Sequence, residues 1–179
     1  MSSRTLRRSL EFLMVASGTC LLAACVTPSA PHREASVPVP SNVQMVQAIR
    51  AAGAREQSVI NVDPLRSPGV MSLRDAARSD EASGHYADAA SKLDQALKLS
   101  VNAPDLLQDR AEAAVYLGDY ATAERLARQS WSLGPKLGPL CARNWQTVVE
   151  LRLHAGDAAG AATARQQLAT CHKPDVSRF

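Results

Sequence analysis

Between residues 70 and 171, apolar side chains recur at helical rather than alternating spacing, in blocks of about a dozen residues parted by glycine. Leu93, Ala96 and Leu99 form one stripe, and Leu126, Ala127 and Leu133 form the next; each is predicted to face a neighbouring unit. The blocks also repeat. Gly84-His85-Tyr86-Ala87-Asp88-Ala89 returns 34 residues later as Gly118-Asp119-Tyr120-Ala121-Thr122-Ala123, and a looser Gly156-Asp157-Ala158-Ala159-Gly160-Ala161 follows after a further 38. Such a period predicts an all-α chain, a short solenoid of about three helix-turn-helix repeats in which each unit buries the apolar face of its neighbour. The first unit, 70–103, is read with helices over 72–83 and 86–99. The second, 104–137, has them over 105–117 and 120–133, and the third, 139–175, from about 139 and over 158–171. Gly84, Gly118 and Gly156 end the first helix of each unit, where a left-handed residue is needed. Ala89, Ala123 and Ala161 stand where the paired helices cross most closely and demand a small side chain.

Ahead of the repeats, Val43, Val46, Ile49 and Ala52 recur at three-residue steps, predicting a helix from 41 to about 55 that lies against the first repeat. Residues 59–62 read as extended, and Asp63-Pro64 with Ser67-Pro68-Gly69 marks an irregular connection up to residue 69. Pro28, Pro31, Pro38 and Pro40, set among Ser, Thr and Ala, make 25–40 a flexible tether that cannot bury a core. Residues 1–24 have the positive start (Arg4, Arg7, Arg8) and short apolar run of a signal peptide. Leu22-Ala23-Ala24-Cys25 resembles the lipobox of bacterial lipoproteins. That resemblance implies a mature chain beginning at an acylated Cys25. With Val26 rather than an aspartate behind the cysteine, it further implies sorting to the periplasmic face of the outer membrane, with lipid as the only membrane contact.

The repeat register resembles the tetratricopeptide repeat family, whose turn carries Gly-Asp-Tyr-x-x-Ala, and the likeness covers residues 70–175. The second copy matches best. In the first, Val101 replaces the terminal proline and Asp80 stands where an aromatic is common. In the third, Ala158 replaces the tyrosine and the connection 138–141 is four residues longer. The resemblance implies that the first helices line a concave surface holding other polypeptides. Arg74, Arg78, Gln108, Glu112, Tyr116, Gln146, Glu150 and His154 are the residues expected to point into it. The family's clamp for a terminal carboxylate is not reproduced, since Asp109 and Glu112 stand where cations or amides are required.

Beyond Cys20 in the signal and the lipidated Cys25, the cysteines are Cys141 and Cys171, equidistant from the turn glycine Gly156. Antiparallel helices hinged there bring the two to one level, and in the oxidising periplasm a Cys141–Cys171 disulfide is expected. The competing reading, a thiol pair joined by His172 around a metal, lacks a convincing further ligand, so no metal or other cofactor is expected.

Charge narrows the function classes. The chain carries 20 Lys+Arg against 17 Asp+Glu, and residues 1–24 account for three Arg and one Glu, leaving a nearly neutral mature chain. With 4% aromatic residues, neither phosphate neutralisation nor base stacking is supported, and nucleic acid is excluded as a partner. No nucleophile elbow, phosphate loop or His-Glu-x-x-His occurs, and adjacent Asp80 and Glu81 point apart on a helix, so an enzyme is not expected. Trp131 and Trp145 read as aromatic packing across the second and third units. The partners expected are envelope proteins or their peptide segments. One reading is an adaptor assisting assembly of an outer-membrane machine such as a pilus or secretion system. The alternative is a regulator docking onto a periplasmic cell-wall enzyme, or a self-associating envelope component that forms a homodimer through a terminal face.

Overall fold

The computed structural model describes residues 39–57, 59 and 65–173. The signal segment, Cys25, most of the tether, the stretch 60–64 and the tail 176–179 lie outside the described residues. Seven helices occupy those that are described: α1 (Asn42–Arg55), α2 (Pro68–Ala82), α3 (Tyr86–Leu99), α4 (Pro104–Tyr116), α5 (Tyr120–Leu133), α6 (Pro139–His154) and α7 (Ala158–Ala169). The hairpins α2/α3, α4/α5 and α6/α7 stack in chain order, α3 on α4 and α5 on α6, as a short helical-repeat solenoid.

The turns show how the repeated hexapeptide works. Gly84, Gly118 and Gly156 all lie in the left-handed region, with φ of 79°, 74° and 72°. The aspartate that follows caps the next helix: Asp119 accepts from the Thr122 amide at 3.1 Å, and Asp157 from the Gly160 amide at 2.8 Å. In the first copy His85 stands there and makes no such bond. Ala89, Ala123 and Ala161 are fully buried at the helix crossings.

Several expectations need correction. Helix α2 starts at Pro68 rather than 72, because Ser67 is extended and Pro68 takes the first helical position, where a missing N–H costs nothing. Helix α7 ends at Ala169, two residues short of Cys171. Leu99 and Leu133 do not face the next unit; they are 64% and 49% exposed in the last turns of α3 and α5. Leu97 takes the place expected of Leu99, touching the core on both sides of the junction. Buried Ser130 serves in the second unit, its hydroxyl donating to the Pro104 carbonyl at 2.6 Å.

The largest departure concerns α1. It does not lie against the first repeat but across the first helices of the second and third, α4 and α6. Met45, Val46 and Ile49 are fully buried there, in a cluster with Ala114, Val115 and Leu151. Burial of each such side chain stabilises the docked helix by about 1.5–3 kcal/mol. Both ends of α1 are fixed. Ser41 and Gln44 form a reciprocal capping box at its start, where Asn42 also donates to the Tyr116 carbonyl at 3.3 Å and accepts from the Tyr120 hydroxyl at 2.7 Å. Near its end, Gly53 approaches α6 so closely that a Cβ would come within 2.7 Å of Arg143 Cγ.

Candidate protein-binding cleft

With α1 seated on α4 and α6, one part of the concave face stays open, a cleft of ≈ 510 Å³ walled by α1, α2, α4 and α6. Its polar lining is Arg50, Arg74, Arg78, Glu81, Asp109 and Arg143. Ala77 and Leu93 give an apolar floor beside Tyr116.

The charged side chains form a ladder across four helices. Arg50 donates through Nε to Glu112 at 2.8 Å and through Nη2 to Glu81 at 2.6 Å, tying α1 to α4 and α2. Arg143 donates through Nε to Glu112 and through Nη2 to Asp109, both at 2.8 Å, tying α6 to α4. Arg74 reaches Asp109 at 2.6 Å and Asp105 at 3.2 Å, and Arg66 closes the ladder on Asp105. Glu112 and Gln108 are fully buried, and the Gln108 amide donates to Glu112 at 3.0 Å and to Thr147 at 2.9 Å.

Burial disfavours the charged forms throughout, and the outcome depends on what each group meets. For Arg50, Arg74 and Arg143, desolvation is outweighed by the neighbouring carboxylates, and their pKa values are raised. Desolvation of Asp109 is likewise overcome by Arg143 and Arg74, which hold its carboxyl below the usual range. Glu81 has Arg50 alone; burial prevails and its pKa is raised. Burial also raises the Tyr116 phenol, whose ring stacks on Tyr86 with centroids 4.2 Å apart.

The eight side chains expected to line a single groove are therefore divided. Arg74, Arg78 and Tyr116 reach the open cleft. Gln108 and Glu112 are sealed inside, where Arg50 of α1 caps Glu112. Gln146 donates to buried Glu150 at 2.6 Å, and His154 packs on the Tyr120 ring at 4.4 Å; none of the three lines the cleft. Arg50, Arg143 and Asp109 belong to the site and were not among the eight. A signal for them existed in Ala114, Val115 and Leu151, apolar residues on the first helices with no use in a solvated groove, which the apolar stripe of α1 matches.

Other candidate residues have structural partners. Asp80 pairs with Lys92 and Glu81 with Arg50, so the two carboxylates serve different contacts. Trp131 and Trp145 meet edge to face at 5.3 Å. Cys141 and Cys171 are bonded, with Cα atoms 5.6 Å apart, and both are fully buried. Among the described residues, no group of three His, Cys, Asp or Glu side chains could hold a metal ion, and no helix is long and apolar enough to cross a membrane.

Among the described residues, fold and site define an all-helical repeat domain whose concave face is partly filled by α1, a helix from outside the repeats. No protein-family model matches the sequence, and no curated protein does. Among solved structures the chain is similar to the globular C-terminal domain of P. aeruginosa LpoP, with 30% identity and a TM-score of 0.55. The match covers 59% of this chain and 99% of that domain. The chain belongs to the family of that LpoP domain.

Proposed function

We propose that this protein is a tetratricopeptide-type lipoprotein of the outer membrane, a regulator that docks onto a periplasmic cell-wall enzyme and performs no chemistry itself. The likeness to the LpoP domain, running through nearly all of that domain, is the observation that carries this reading. It favours a docking regulator over an adaptor for a pilus or secretion system. The site agrees on physical grounds. An adaptor that threads extended segments needs a continuous open groove, whereas α1 fills this one over α4 and α6 and leaves a compact cleft suited to one local contact.

The test is photo-crosslinking in cells from three exposed positions on separate helices: Arg78 on α2, Arg125 on α5 and Arg165 on α7. Capture of a peptidoglycan synthase or hydrolase from any of them supports the regulator. A secretin or pilus component as the specific product returns the adaptor reading, and capture only of a second copy of this chain makes it a self-associating component.

A further inference from the structure

We infer that the cleft is a receptor for an acidic peptide segment of the docking partner, recognised through its Asp or Glu side chains; this rests on the regulator reading. The argument is a surplus of donors. Of the carboxylates in the ladder, Glu81 meets Arg50 through one oxygen, and the three on α4 have little left to accept with. Both oxygens of Asp109 and both of Glu112 are engaged, and Asp105 is held by Arg66 and Arg74. The guanidinium groups are not used up. Arg74 and Arg143 each spend Nε and one terminal nitrogen on these carboxylates, Arg50 spends Nε on Glu112 and one terminal nitrogen on Glu81, and in each the second terminal nitrogen has no hydrogen-bond or ion-pair partner among the described residues. The side chains of Arg50, Arg74 and Arg143 keep 44%, 20% and 20% of their surface exposed. All three side chains line the cleft.

Arg78 adds a fourth cation on the same wall. Its side chain is 60% exposed, and its single ion pair is a 3.4 Å contact to Asp75, itself 68% exposed. A water-facing pair of this kind gives way readily to a better acceptor. Guanidinium donors fixed by existing carboxylates lose little rotamer freedom on meeting another one, which is the condition for charge-assisted recognition. Asp109 and Glu112 lie one helical turn apart on α4, and Arg143 bonds both. The guanidinium groups of Arg50, Arg74 and Arg143 are therefore anchored along successive turns of α4, an arrangement that suits neighbouring acidic residues of one segment. The Tyr116 ring and the Ala77 and Leu93 floor would hold the segment's aliphatic stems. Contact from α1 distinguishes the arrangement from a groove made of repeat helices alone, since Arg50 comes from outside the repeats.

The experiment uses the full chain purified in mild detergent and a fluorescein-labelled nine-residue peptide of alternating Glu and Ala, amidated at its C terminus, read by anisotropy. Binding is expected for the Glu peptide, at least tenfold weaker for its Gln isostere, and weaker with added salt. Arg78→Glu is expected to weaken Glu-peptide binding at least tenfold with the melting temperature unchanged, since this side chain holds no part of the buried ladder. Arg78→Lys, which keeps the charge and loses the fork, should sit between the two. Equal binding of the Glu and Gln peptides, or an Arg78→Glu variant that binds as the parent does, overturns the assignment. So does binding that appears only when the C-terminal carboxylate is free. Capture of a wall enzyme in cells without peptide binding retires the cleft and leaves the regulator; peptide binding without such capture retires the regulator and leaves the cleft.

Discussion

Glu112→Gln isolates the contact on which the filled groove depends. The glutamate is fully buried and is the only carboxylate shared by α1 and α6 in the ladder, through Arg50 Nε and Arg143 Nε, each at 2.8 Å. Glutamine keeps the shape, removes the charge and turns an NH2 group toward donors, so at least one hydrogen bond becomes a donor-donor clash. Breaking a buried ion pair by neutralising one partner costs about 3–5 kcal/mol. Two observations place this case at the low end. The Arg50 side chain is 44% exposed and keeps Glu81, so water screens its loss, and Arg143 keeps Asp109. The expected cost is about 3 kcal/mol, a fall in melting temperature on the order of 10 °C for a domain of this size. Urea unfolding followed by circular dichroism gives the free energy, and hydrogen exchange locates it. Amides of α1 should lose protection more than those of α3, none of whose side chains hydrogen-bonds or ion-pairs with Glu112. A loss under about 1 kcal/mol, or equal loosening of both helices, would refute the view that buried charge pins α1 in the groove.

Further outcomes follow from the same structure. Reducing Cys141–Cys171, whose separation is 30 residues, is expected to destabilise by about 3–4 kcal/mol on loop-closure entropy; melting curves with and without reductant measure it. Gly156→Ala meets no atom within 4 Å, so only its φ of 72° opposes it, and the cost should be about 1–2 kcal/mol, with Gly156→Asn costing less. If urea midpoints of the two variants coincide, backbone handedness is not the cause. Acid should unfold the protein partly through Asp109. Its carboxyl lies below 3.8 in the folded chain, so its contribution is fully present above the unfolded value and is lost as pH falls through 3.8 toward the folded one. Glu81, raised above 4.5 by burial, acts in the opposite sense, giving up stability as pH rises past 4.5. Urea midpoints between pH 3 and 6 should therefore show a steep acid limb that Asp109→Asn flattens.

Helices and hinges were readable from local sequence. Period, turn glycines and small crossing residues are local properties, since a left-handed φ or a close helix crossing rules out most side chains wherever the chain folds. Gly118, Ala123 and the stripe of Leu93 and Ala96 were legible for that reason. Even Cys141 and Cys171 follow from symmetry about one turn. What α1 covers was not legible. Its stripe announced that an apolar surface would be buried but not which one, because that choice rests on complementarity between residues far apart in the chain, such as Arg50 with Glu112 or Ile49 with Leu151. It is the docking of α1 that makes Gln108 and Glu112 interior while Arg74 and Arg78 face an open cleft. Burial on a concave surface depends on what occupies the concavity, and no pattern confined to the repeats records the arrival of a helix from outside them.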